Sequence, residues 1–375
     1  MSTVSTPAGT TDTAFMRRAI ELSEFGRGWT SPGPMAGAVV VKDGEVVGEG
    51  FYQGGGSPHA EPCALGAAAE RAQGATLYVT IEPCFSRTRE SCISRIAESG
   101  VARVVIGAED PNPVAAGKGV AALRERGVEV HVGVEEQVIR RGNEASYKFL
   151  ATRRPFVALF GTMSFDGRVA TSIGEKPEAP RSAVDLLRAS HDAVLVGVST
   201  VVQDDPEITT HLERARNPLC IVVDGMARTP VSARILGNKG AGARPQALVV
   251  TTRFAPDDKL RELKAAGAEV LVAPEEGDPL AANIDLNRLL TLLGKREVAS
   301  VLIEGGGTLS DAALAAGLID KIYLYVHPAI LGGASAPGLV GGLGASFVEE
   351  APAVSRLGCR PCGEGLLLEG YLGAT

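Results

Sequence analysis

At 375 residues, with 45% hydrophobic side chains and a net charge of −7, the chain has the length of two domains and no basic excess to suit nucleic acid. It contains no run of about 18 apolar residues, so no membrane-spanning helix is expected. Residues 1–12 lack the basic start and apolar stretch of a signal peptide, and six cysteines without such a signal read as cytoplasmic thiols rather than disulfides.

Apolar spacing predicts a helix over 15–24. Two β-branched runs, 37–41 and 45–50, flank Lys42-Asp43-Gly44 and predict a hairpin. A helix over 61–73, a strand over 76–81 and a helix over 91–98 follow. Next come a strand over 101–106, a helix over 120–126, a strand over 128–132 and one long helix over 135–150. Pro155 then marks a boundary. The second half predicts strands at 156–159, 193–197, 220–224, 246–251, 269–273, 300–304 and 321–327. Helices are expected at 182–190, 258–266, 285–293 and 309–316. The alternation implies an α/β protein of layered sheets and helices, divided into domains at 13–150 and 154–375.

The chemistry concentrates in His59-Ala-Glu61, Glu82-Pro83-Cys84 and Cys92. A catalytic zinc takes three protein ligands and keeps a fourth position for water. His59 offers an imidazole, and Cys84 and Cys92 offer thiolates, from the starts of two helices and the end of a strand. Glu61 stays off the metal as the proton carrier for hydrolytic removal of an amino group, the arrangement of zinc-dependent base deaminases. A single His-x-Glu would more often be an ordinary polar pair, but the added Pro-Cys and Cys turn the reading to zinc. Cys359-Arg-Pro-Cys362 has no second pair nearby and makes a poor metal site.

Gly305-Gly306-Gly307 follows a strand and precedes a helix, where bare N–H groups suit a pyrophosphate. By itself it could equally be a tight turn, and it lacks the GxGxxG fingerprint. Gly197-Val-Ser-Thr200 is a similar strand-end turn bearing hydroxyls, and Asp204-Asp205-Pro206 could be only a solvated turn.

These stretches, with Tyr78-Val-Thr-Ile-Glu-Pro-Cys84, Asp110-Pro-Asn-Pro113, Ser164-Phe-Asp-Gly167 and Glu304-Gly-Gly-Gly-Thr-Leu309, closely resemble the bifunctional deaminase/reductase family of bacterial riboflavin biosynthesis, the RibD/RibG type. The resemblance runs from about residue 15 to 368. It implies a cytidine-deaminase-like N-terminal domain and a dihydrofolate-reductase-like C-terminal domain. The implied reactions are deamination of a diaminopyrimidinone ribosylamine phosphate and NADPH-dependent reduction of its ribosyl group. The implied site residues are His59, Cys84 and Cys92 on Zn2+, and Glu61 as proton shuttle. Gly197, Thr200, Gly305, Gly306 and Gly307 are implied at the cofactor. Asn112, Arg188, Asp204 and Glu304 are implied at the substrate, with Arg188 on its phosphate. We expect a small-molecule substrate, no nucleic-acid or membrane partner, a cytoplasmic location and assembly as a homo-oligomer.

Several positions depart from the family pattern. Gly33 stands where an asparagine is usual, Tyr52 where a histidine is usual, and Phe160 where bacterial members carry a lysine. The loop 85–91 is one residue shorter and differently composed, and His211 replaces an arginine. These departures leave a second reading open, a relative that deaminates another amino-heterocycle with altered or lost reductase activity.

Overall fold

The computed structural model describes residues 10–85, 91–171, 174–213, 215–237, 247–273, 284–342 and 344–373. The chain separates into two compact units, Met1–Arg153 and Arg154–Thr375. Among the described residues no helix is long and apolar enough to cross a membrane.

The first unit is built on strands β1 (Gly37–Lys42), β2 (Glu45–Phe51), β3 (Thr76–Ile81), β4 (Arg103–Ala108) and β5 (Glu129–Val132). They form a five-stranded sheet in the order β2-β1-β3-β4-β5. β1 runs antiparallel to β2 and β3, and β3, β4 and β5 are parallel. The helices are α1 (Thr10–Ser23), α2 (Ala60–Ala68), α3 (Cys92–Glu98), α4 (Lys118–Glu125), α5 (Glu136–Gly142) and α6 (Glu144–Thr152). Alternate strand residues face opposite ways. Ala38, Val40, Leu77, Val79, Val104 and Ile106 therefore pack on α2, α3 and α4, while Val39, Val41, Tyr78 and Val105 pack on α1 and α5. The result is a three-layer sandwich with the sheet in the middle.

Helix α2 lies unusually close to the sheet because β2 presents Gly48 and Gly50 beneath it. A Cβ on Gly48 would come within 2.2 Å of the Ala64 carbonyl oxygen, and one on Gly50 within 2.6 Å of that of Ala60. Backbone, not a flexible side chain, occupies both spaces, so the helix must lift if either glycine gains a side chain. Gly48→Val is expected to destabilise the first unit by about 1–3 kcal/mol through overpacking. Thermal unfolding checks this, and an unchanged midpoint would show that α2 can lift freely.

Two helical expectations for this unit need revision. The span 61–73 is not one helix: α2 ends at Ala68, Ala69 takes a φ of 50°, and a 3-10 turn covers Ala69–Ala72. The break lets Arg71 donate to the Val47 carbonyl while Ala72 stays buried. The long helix expected over 135–150 is likewise two helices, divided at Asn143. Asn143 is buried, and its amide exchanges two hydrogen bonds with the Met35 backbone, at 2.7 and 3.2 Å. A long-range pairing thus overrides a continuous local helical signal.

The second unit carries nine strands: β6 (Phe156–Ser164), β7 (Ala193–Gly197), β8 (Leu219–Val223), β9 (Ala247–Thr251), β10 (Glu269–Val272), β11 (Ser300–Glu304), β12 (Lys321–His327), β13 (Val354–Cys362) and β14 (Gly365–Leu372). Their order is β10-β9-β8-β7-β11-β6-β12-β14-β13. All neighbours from β10 to β12 are parallel, and β14 and β13 add antiparallel pairs at the edge. The helices are α7 (Arg181–Ala189), α8 (Val198–Asp204), α9 (Asp257–Ala265), α10 (Leu286–Lys295) and α11 (Gly307–Ala315). Leu286, Leu289, Leu290 and Leu293 of α10 and Leu309 and Ala313 of α11 share one core with Leu159, Leu195, Leu248 and Ile303 of the sheet.

The segment read as a strand-end turn at Gly197-Val-Ser-Thr200 is the start of α8 instead. Its Val and Thr residues favour extended structure locally, but burial of Val198 and Val201 rewards the helix. The pair β13 and β14 was not anticipated. Cys359 and Cys362 both lie on β13, three residues apart and so on opposite faces, one exposed and one buried.

Candidate active sites

In the first unit, four chemically active side chains meet where β3 ends and two helices begin. His59 is the N-cap residue of α2, with extended backbone at φ −66° and ψ 170°, and Glu61 sits in the first turn. Cys84 lies three residues beyond the end of β3. Cys92 is the first residue of α3, whose N-cap Ser91 accepts a hydrogen bond from the Ser94 N–H at 3.2 Å. One ligand atom from each of His59, Cys84 and Cys92 falls within 4.8 Å of the others. The two sulfurs are 3.3 Å apart, and Cys92 Sγ is 3.3 Å from His59 Nδ1.

The donor set and spacing fit zinc. Bonds of about 2.0–2.3 Å place tetrahedral ligand atoms roughly 3.3–3.8 Å apart, and two thiolates with one imidazole form a borderline-soft set that leaves a position open. The electrostatics also suit a cation. Hydrogen bonding with Cys92 and then His59 pulls the Cys84 thiol down to about 4. The same pairing with Cys84, together with burial, pushes Cys92 up. Cys84 as a hydrogen-bond partner holds the His59 imidazole above its usual range, against the opposing effect of burial. Burial pushes the Glu61 carboxyl up to about 7.

Tyr52, a departure from the family pattern, packs edge-on against His59 with ring centroids 5.2 Å apart. It therefore borders the site even though its residue type is changed. Asn112 lies in the loop after β4, where its Oδ1 accepts from the Val114 N–H at 3.1 Å. Arg87 and Arg89, on the loop between Cys84 and Cys92, lie outside the described residues.

In the second unit the central parallel strands bring the glycine turns side by side. β7 and β11 are neighbours, so Gly197 and Gly305 emerge together at their carboxyl ends. Gly305 has a φ of +144°, and a Cβ there would approach Thr200 Oγ1 to 3.1 Å and the Gly197 nitrogen to 3.9 Å. Gly306 caps α11 and Gly307 begins it, 3.2 Å (from an imagined Cβ) from the Gly341 nitrogen. Gly197, Thr200 and Gly305 thus form one contiguous surface at a helix N-terminus, in the region where ligands of open parallel sheets bind.

Arg188 and Glu304 form a two-pronged ion pair, Nε to Oε1 at 2.9 Å and Nη2 to Oε2 at 2.7 Å. Each side chain is only 13% exposed. Arg188 Nη1 also donates to the carbonyls of Glu207 and Thr209. An arginine expected to grip a phosphate therefore has most of its five donors engaged inside the protein. Asp204 closes α8 and pairs with Lys176, a residue the sequence reading did not single out. Phe160 is buried in β6, in register with Glu304 of β11. His211 lies against Arg181, and its Nδ1 is 3.2 Å from Asp185 Oδ1.

Comparisons with known proteins agree with this division. The family described as "RibD C-terminal domain" matches residues 155–368. The "Cytidine and deoxycytidylate deaminase zinc-binding region" matches residues 9–108. The riboflavin biosynthesis protein RibD of Actinobacillus pleuropneumoniae is 35% identical over 364 residues, covering 96% of this chain and 95% of its own. That of Escherichia coli is 37% identical, with coverage of 91% and 94%. Among solved structures, Acinetobacter baumannii RibD aligns with a TM-score of 0.81 at 34% identity, covering 97% of this chain and 99% of the other. A Thermotoga maritima diaminohydroxyphosphoribosylaminopyrimidine deaminase/5-amino-6-(5-phosphoribosylamino)uracil reductase aligns with a TM-score of 0.82 at 32% identity, with the same coverage.

Proposed function

The chain belongs to the RibD family of riboflavin-biosynthesis enzymes, a zinc-dependent deaminase joined to an NADPH-dependent reductase, and on that premise we propose which of its residues carry each reaction. One observation carries the proposal for the first half, the convergence of His59, Cys84 and Cys92 beside a buried Glu61. His59, Cys84 and Cys92 hold the zinc. When bound, the metal supplies Lewis-acid activation of water near neutral pH. Glu61 relays the two protons of the attacking water in turn, the first to the ring nitrogen and the second to the departing amine of the aminopyrimidine, as the bond from carbon to that amine breaks. Its burial keeps bulk water from competing for those protons. Asn112 contributes a polar group to substrate binding.

In the second half, a bound NADPH would supply the hydride for reduction of the ribosyl group. Gly305, Gly306 and Gly307, at the start of α11 with Gly197 and Thr200 beside Gly305, would hold its pyrophosphate against bare backbone. Arg188 fixes the orientation of Glu304, and Asp204 and Glu304 are the carboxylates we assign to the substrate. Matches to relatives across both halves do not favour a substrate-changed relative. We extend the reading to a cytoplasmic homo-oligomer. β13 supports the oligomer as an edge strand with Leu357 and Val354 exposed, a template for pairing with a second copy.

The test is an assay of zinc-loaded protein on the diaminopyrimidinone ribosylamine phosphate with NADPH. Ammonia release and cofactor oxidation are both expected. Stripping the zinc with a chelator should stop ammonia release yet leave NADPH oxidation on the deaminated compound. Ammonia without oxidation would remove the reductase assignment, and neither product would remove both.

A further inference from the structure

We propose that Glu82 is a positioning residue for deamination, a buried clamp that fixes the substrate-side loop 110–117 to the strand end bearing the zinc ligand Cys84. The inference rests on the deaminase reading above and extends it to a residue that touches neither metal nor substrate.

Glu82 is 4% exposed and sits one residue beyond β3. Its own N–H donates to the Ala108 carbonyl at 2.9 Å, which locks its backbone to the end of β4. Its carboxylate accepts three backbone N–H groups from a different part of the chain. Oε2 takes those of Asp110 at 3.1 Å and Gly117 at 2.9 Å, and Oε1 takes that of Val120 at 3.0 Å. The three donors bracket the loop that carries Asn112 and include the first turn of α4. Such amides at a helix start have no partner within the helix, and a carboxylate suits them by charge as well as by hydrogen bonding.

The rest of the contact is equally close. A Cβ on Gly119 would fall 2.3 Å from the Pro83 carbonyl oxygen and 3.0 Å from Glu82 Cγ, so α4 rests directly on the Glu82-Pro83-Cys84 backbone. The loop also lies within electrostatic reach of the site. Burial raises the Asp110 carboxyl, and the charges of Glu82 and Cys84 add to the effect. Within the loop, Asp110 Oδ1 accepts from the Asn112 N–H at 2.8 Å, so the clamp on Asp110 passes directly to Asn112. One carboxylate therefore sets the distance between the metal ligands and a substrate-binding loop some 30 residues further along the chain.

Glu82→Gln keeps the size of the side chain but replaces one acceptor oxygen with an NH2 group that faces N–H donors. The expected result is a KM for the aminopyrimidine raised by about tenfold or more, with kcat within about threefold. Zinc content stays at one per chain, which shows that the first unit is folded, and the reductase half-reaction of the second unit, assayed separately, stays unchanged. Amide hydrogen exchange should show lost protection at Asp110, Gly117 and Val120. Glu82→Ala should enlarge every one of these effects. An unchanged KM in both variants, or a loss of zinc together with kcat, would overturn the proposal. Failure of the unaltered protein to release ammonia would instead count against the deaminase reading, while the exchange measurement still decides whether Glu82 holds the loop.

Discussion

Replacing Glu61 with glutamine is expected to lower the rate of ammonia release by about 10²–10⁴-fold while zinc remains bound. The glutamine is nearly the same size and cannot carry a proton between water and the leaving amine. Glu61 is 3% exposed, so bulk water is poorly placed to substitute for it. Because it is not among the three converging ligand atoms, its replacement should not empty the site. Measuring kcat alongside metal content separates the roles. A variant that keeps full turnover would remove Glu61 from the proton-carrying role, and one that loses metal would make Glu61 a ligand. Reductase turnover should not change, since the glycine turns and the Arg188–Glu304 pair belong to the second unit.

The second large effect is expected at Arg188. Arg188→Met should destabilise the second unit by about 3–5 kcal/mol, because it leaves the enclosed Glu304 carboxylate without its counter-charge. The carbonyls of Glu207 and Thr209 lose a donor at the same time. For a domain of this size the midpoint of thermal unfolding should fall by about 2–4 °C per kcal/mol. A double variant, Arg188→Met with Glu304→Gln, should recover part of the loss by removing the unpaired charge. If the double variant is as unstable as the sum of the two single ones, the pair is not the source of the effect. Reductase activity should fall in the single variant while ammonia release and zinc content hold. A variant of normal stability that binds substrate phosphate poorly would return Arg188 to the simpler role of a phosphate ligand.

Both positions can be named from the chain alone, but for different reasons they are not equally understood from it. The zinc group is legible because its chemistry is written in residue types. His59 and Glu61 are two apart, and Cys84 and Cys92 follow a strand and open a helix, so local structure alone nearly assembles them. Arg188 and Glu304 are 116 residues apart, and only the parallel neighbours β6, β7 and β11 carry the end of β11 to the end of α7. Glu82 is a similar case. It stands inside a stretch noticed for its cysteine, yet its three partners come from a loop whose path the strands decide.

Alternation of apolar residues, β-branched runs and punctuating glycines and prolines determined the layered α/β class and most strand positions, because each depends on neighbours within a few residues. The identity of the ligands determined the metal chemistry for the same reason. Tertiary structure alone decided that the helix after Gly133 breaks at Asn143, that Val198–Asp204 is helical, and that β13 and β14 extend the sheet. It also decided which buried charges face one another. Those outcomes depend on burial and on hydrogen bonds between distant segments, whose energies outweigh the small local preferences that a sequence displays.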